Sequence, residues 1–361
     1  GKGFTRGPTP SGMAGIADAV PPWLLNVTDV LAWVVIGAFA LGAVLELTAR
    51  RRDDAADGSL TAVVGAGRRR LEHARRVSTG AWGLFALFWL LLFPHFAFVH
   101  KSYVEGVLAL IAVPASLYAG YLLWQGRDTL FVLSRATAIM GLIYLPFETI
   151  PAVEIGGLRI PAPRQVLIEV VTIKTGWLMD VFGAHPELIA GPQGYQNTYE
   201  FIASDGQILQ FSVVLACTGL GSIAIFAGLI AAVRAPLRRK LRALAVAVPI
   251  IYGLNLLRTT FIGIAFGQQL LHVYPDLVLT MFGGSDPYRV SWYVSDRIIS
   301  QLLAVMALVG VTYLVVRELP EILTIIEDVL YMVTNEEYDL SNTLDLPRSQ
   351  AASQLQGSGD D

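Results

Sequence analysis

Residues 211–233 read FSVVLACTGLGSIAIFAGLIAAV. As a helix rising 1.5 Å per residue, a segment of about 20 such residues spans the ~30 Å hydrocarbon core of a bilayer. The rest of the chain decides that this is a membrane segment and not a buried soluble helix. The 361 residues are 54% hydrophobic and 15% charged, whereas soluble domains carry roughly a quarter charged residues. Mean hydropathy is +0.56, and several further stretches are equally long and apolar. The composition predicts an all-α integral membrane protein, a polytopic bundle of about seven transmembrane helices. They fall near 24–47, 81–99, 103–124, 129–148, 210–233, 243–268 and 292–316. Cys217, the only cysteine, lies inside the fifth, so internal disulfides and a cysteine-rich zinc site are excluded.

Lys and Arg in short loops set orientation. Arg50, Arg51, Arg52, Arg68, Arg69, Arg70, Arg75 and Arg76 follow the first span. Arg127 lies between the third and fourth, RAPLRRKLR follows the fifth, and Arg317 follows the seventh. All share one side if the N-terminus is outside and the C-terminus cytoplasmic. Residues 1–12 read as a remnant of expression or processing, outside the fold. Residues 13–80 hold the first span and a basic loop, and 81–316 the membrane core. Residues 317–361 read as an amphipathic helix along the bilayer, PEILTIIEDVLYMV, followed by a disordered acidic tail. The outer segment 149–209 is long, irregular and rich in Pro and Gly, as functional loops are. Within it, RQVLIEVVTIKTGWLMDVFG (164–183) reads as an interfacial or re-entrant helix.

Ionisable groups at membrane depth are costly and point to function. Span six carries NLLR, with Asn255 and Arg258 on one helix face; span seven carries SDR, with Asp296 and Arg297. At 1.5 Å per residue, Cys217, Arg258 and Arg297 lie roughly 10, 15 and 8 Å below the outer ends of their spans. Antiparallel neighbours at one depth can share a cavity. There a guanidinium stabilises a thiolate, or holds the oxyanion of a tetrahedral intermediate, worth on the order of 3 kcal/mol. Thr218 and the glycines beside the thiol leave room for a substrate backbone. Asn255 is placed to donate an amide or to orient Arg258. Each residue also has an ordinary reading. Cys217 is a small core side chain, Arg258 and Arg297 pair with carboxylates or snorkel, and Asn255 ties two helices.

ACTG at 216–219, NLLR at 255–258 and Arg297 together resemble the exosortase/archaeosortase family of membrane transpeptidases. The resemblance covers about residues 80–316. Separations of 41 residues from Cys217 to Arg258 and 39 from there to Arg297 fit its pattern. The third basic residue is His in exosortases and Arg on the archaeosortase side; here it is Arg. The resemblance implies a sortase-like thiol enzyme with Cys217, Arg258 and Arg297 catalytic. Its substrates would be exported surface proteins, such as S-layer glycoprotein, bearing a C-terminal Pro-Gly-Phe signature, an apolar span and basic residues. Cys217 would form a thioester, and a lipid amine would resolve it. No metal, cofactor or nucleic acid is implied.

One departure from Cys–His logic stands. Arginine hardly gives up a proton, so the leaving amine is protonated by water or with help from His272, Asp296 or Tyr288. The competing function is an anion or solute transporter, with Arg258 and Arg297 as substrate-binding charges and a dispensable Cys217. A third is a structural membrane protein whose arginines pair with Asp296 or Glu148.

Overall fold

The computed structural model describes residues 22–55, 62–95 and 103–340. The expectations for residues 1–12 and for the acidic tail lie outside these. Four helices come first: α1 (Pro22–Ala55), α2 (Ala62–Pro94), α3 (Tyr103–Trp124) and α4 (Leu130–Thr149). A hairpin of β1 (Val153–Ile155) and β2 (Leu158–Ile160), helix α5 (Pro163–Val181), and a sheet of β3 (Glu187–Ala190), β4 (Gln196–Ile202) and β5 (Ile208–Ser212) follow. Next come a 3₁₀ turn at Leu215–Thr218, α6 (Leu220–Ala232), α7 (Leu237–Gly267) and α8 (Pro275–Phe282). A composite helix then runs from Pro287 to α9 (Ser300–Glu318), and α10 (Leu323–Thr334) ends the order.

Among the described residues, six helices are long and apolar enough to cross a membrane: those at Val27–Arg51, Arg69–Pro94, Gly106–Trp124, Leu130–Thr149, Leu237–Gly267 and Pro287–Glu318. A polytopic helical membrane protein is therefore confirmed. Two expectations are corrected. Residues 210–233 are not one continuous helix but strand, 3₁₀ turn and a 13-residue helix. Residues 149–209 are not irregular: they form two small antiparallel sheets around a helix, with strand order β3-β4-β5 in the larger.

Packing divides the chain into two compact units, one of residues up to Leu142 with Thr324–Leu340, the other Ile143–Leu323. In the first, Phe39, Trp82, Leu123 and Phe131 form the core. Phe39 and Trp82 meet edge to face at 5.0 Å, and Trp82 donates to Ser134 Oγ at 3.0 Å. Glu46 on α1 is fully buried, a position a carboxylate keeps only when paired. Arg135 of α4 and Arg50 each approach it to 2.5 Å. Helix α10 docks in this unit through Asp328, which accepts from Arg127 Nε at 2.8 Å and Thr129 Oγ1 at 2.9 Å. The Arg127 guanidinium also stacks 3.8 Å over the Tyr331 ring.

The second unit is organised along α7, 31 residues or about 46 Å long. Its neighbours can be read off in order. A side chain at Gly267 would meet the Phe201 ring of β4, and one at Gly263 would meet Met179 of α5 and Phe211 of β5. Cys217 and Gly219 lie against Asn255, and Lys240 Nζ donates to the Ala231 carbonyl at 2.8 Å. Chain 211–231 therefore runs antiparallel beside α7, from Phe211 at Gly263 through Cys217 at Asn255 to Ala231 at Lys240, and changes from strand to helix at the thiol. Gly263 and Gly267 admit side chains from α5 and the sheet.

Candidate functional site

The thiol sits where the broken segment changes from extended to helical. Val214 is extended, residues 215–218 make the 3₁₀ turn, and Gly219 has φ 75° before α6 begins. The left-handed region disfavours any side chain. A Cβ there would also fall 3.1 Å from Asn255 Cβ, so the glycine of ACTG is required twice. A turn in a membrane segment leaves carbonyls without helical partners, and these must be satisfied by neighbours. The Cys217 carbonyl accepts from Asn255 Nδ2 and from Thr259 Oγ1 at 3.2 Å, while Cys217 N–H donates to Val214 O at 2.8 Å. Thr218 Oγ1 caps the turn, donating to Leu215 O at 2.7 Å and accepting from Leu220 N at 3.3 Å. Thr218 and Asn255 thus hold the backbone at the thiol. Thr259 was not singled out from sequence. Its place four residues after Asn255, on the same face, was the available signal.

The charges follow. Arg258 Nη2 donates to Asp296 Oδ1 at 2.6 Å. Arg297 Nε lies 3.6 Å from Asp296 Oδ2, so one carboxylate stands between two guanidiniums. On α7, Arg258 stands next to Thr259 and three residues after Asn255, the two residues that hold the Cys217 carbonyl. Arg258 Nε is buried and has no hydrogen-bond partner among the described residues. Asp296 and Arg297 belong to a π-helical stretch, Tyr293–Ile299, a form that clusters at functional sites. Its wider turn lets Arg297 stack on Trp292, five residues earlier, at 5.4 Å.

Two residues weighed as proton donors lie elsewhere. Tyr288 donates its hydroxyl to Asp205 on the β4–β5 turn. That hydrogen bond, with one from Gln207 N–H, holds the Asp205 carboxyl below its usual range. His272 is exposed past the end of α7. Tyr288 also lines a cavity of about 540 Å³ with His185, Glu187, Glu200, Asp205 and Gln269. Among the described residues, no group of His, Cys, Asp and Glu is arranged to hold a metal.

Fold and site together define a multi-pass membrane protein with one thiol beside a paired arginine at a broken segment. A family model described as transmembrane exosortase matches residues 58–285. Archaeosortase A of Haloferax volcanii is 62% identical over 325 residues, covering 90% of this chain and 99% of that protein. Archaeosortase A of Natronomonas pharaonis is 44% identical over 314 residues, covering 85% and 89%. No solved structure matches. The chain belongs to the exosortase/archaeosortase family, and it is an enzyme of the cysteine-transpeptidase type.

Proposed function

We propose that this enzyme cleaves the C-terminal sorting tail of exported surface proteins through a Cys217 thioester and passes the new C-terminus to a lipid amine. The observation that carries the reading is the buried Nε–H of Arg258, without a partner among the described residues, beside Thr259, which holds the Cys217 carbonyl. A donor left unmade in a buried place is costly, and an oxyanion is the acceptor that repays it. In the first half, the Cys217 sulfur bonds to the scissile carbonyl carbon and the carbonyl oxygen becomes an oxyanion held by Arg258. Collapse breaks the C–N bond and leaves a thioester. The thiol proton leaves to water as the sulfur attacks, and the leaving amine takes one back from that water, since neither guanidinium gives one. In the second half, a lipid amine attacks the thioester, an amide forms and the thiol returns. Arg297 acts with Asp296 to aim Arg258. The cavity beside β4 and β5 gives room to the polypeptide that precedes the apolar tail.

The same reading keeps seven crossings, because 208–232 accompanies α7 along its length although only α6 of it is helical. The N-terminus is then outside, the basic loops and α10 cytoplasmic, and Cys217 near the outer leaflet. Incubating the purified full chain with a tail-bearing surface protein such as an S-layer glycoprotein tests the chemistry. A hydroxylamine-sensitive adduct on Cys217 is expected, with no processing by Cys217→Ala and partial processing by Arg297→Lys. Full processing by Cys217→Ala removes the thioester. Solute uptake that depends on Arg258 but not on Cys217 favours the transporter.

A further inference from the structure

Residues 153–182 carry two apolar surfaces that their own unit leaves bare. In the hairpin, Val153 pairs with Ile160 and Ile155 with Leu158, while Glu154 pairs with Arg159. Directly opposed residues share a face, so one face is wholly apolar and the other holds the charges. All four apolar side chains are exposed. Gly156 and Gly157, both with positive φ, make the tight turn a two-residue hairpin needs.

Helix α5 repeats the pattern in another geometry. Val166, Val170, Ile173, Trp177 and Val181 recur at steps of four, three, four and four residues, one stripe on a helix, and all are exposed, Trp177 at 64%. The opposite side, Ile168, Val171, Thr172, Thr175 and Met179, is buried in the cluster with Tyr199, Phe211 and Ile262. A helix covered by protein on one side and facing water on the other has a polar outer stripe; this one has an apolar outer stripe flanked by the exposed Lys174 and Asp180.

The depth is marked along α7. Met179 meets α7 at Gly263, 21 residues past Arg242 of its basic start, or about 31 Å. That is one hydrocarbon thickness, so α5 lies where acyl chains give way to headgroups, the level Trp prefers. The chain also arrives there directly from a membrane helix, α4, which ends at Thr149.

We propose that Val153–Phe182 is a lipid-inserted platform, with the hairpin and α5 lying in the headgroup layer and their apolar faces in the acyl chains. Its other face abuts the Leu215–Thr218 turn, so the platform fixes the thiol at a set distance from the bilayer surface. The platform is independent of the thiol chemistry. To test it, full-length protein carrying Cys217→Ser and one cysteine at Ile155, Leu158, Ile173 or, as control, Glu154 is labelled with bimane in phosphatidylcholine nanodiscs. Phospholipids brominated on the upper acyl chain should quench the first three labels several-fold more than the control, and aqueous iodide should show the reverse order. Equal access of iodide to all four overturns the platform. So do labels shielded from both quenchers that cross-link between copies, which makes the face a protein interface. In the otherwise native chain, Trp177→Phe should remove part of the tryptophan emission that brominated lipid quenches; an unchanged quenchable fraction also overturns it.

Discussion

Asp296 is the residue whose weight changes most between sequence and structure. From sequence it was a supporting carboxylate beside a catalytic arginine; in the fold it links Arg258 to Arg297. A hydrogen bond to a charged group contributes about 1.5–3 kcal/mol, roughly ten- to a hundredfold in rate if it is needed only to aim Arg258. Asp296→Asn should slow processing of a tail-bearing substrate by that factor with expression unchanged, and a wild-type rate would remove its positioning role. Gly219→Ala adds a left-handed strain of about 1–2 kcal/mol and a contact on Asn255. Thermal unfolding in detergent should begin several degrees lower, and processing should fall with it. Cys217, Arg258 and Arg297 were legible as types in order along the chain. Their partners were not, because a side chain's neighbour depends on packing that spacing does not encode. The same reason hid Glu46, an acid on the first span read as part of an apolar run, and its pairing with Arg135.

At the scale of elements, the broken segment 208–232 is the departure with most consequence. Its apolar run matches a span in length, so periodicity alone favours a continuous helix. The β-branched residues Val213 and Val214 before the thiol and the glycine after it favour extended and left-handed backbone locally, and that preference wins because α7 supplies the missing donors. The Cys217 carbonyl takes hydrogen bonds from both Asn255 and Thr259. Asn255→Ala or Thr259→Val alone should cost about 1 kcal/mol. Together they strand a buried carbonyl and should cost more than the sum, a coupling that a double-mutant cycle on thermal unfolding reads directly. Additivity would show that the turn keeps its shape without them. The sheet in 149–209 was missed for a related reason: its strands are three to seven residues long, and the Pro and Gly between them read as loop.

Over the whole molecule, membrane class and helix bundle follow from composition, which is why they were legible; the two-unit packing has no counterpart in composition. The end of the described chain offers a pH test. Burial, with the nearby Asp339, Asp328 and Glu337, raises the Glu327 carboxyl above its ordinary 4.5, against a hydrogen bond from Leu340 N–H. A raised acid is penalised when ionised, so stability is lost as pH rises through the folded value and regained below it. Glu327→Gln should therefore unfold at higher temperature than wild type at pH 7, with the gain fading as pH falls through the folded value toward 4.5; a constant gain would point to packing instead. The ladder along α7 also has a consequence for biosynthesis. A ribosome delivers the Leu215–Thr218 turn about 40 residues before Asn255 and Thr259 exist, a wait of roughly 2–8 s at ~5–20 residues per second. During that interval the nascent segment has no donors for its bare carbonyls and no guanidinium beside its sulfur. The nucleophile is thus assembled among the last parts of the core, after the translocon has handled the segments before it.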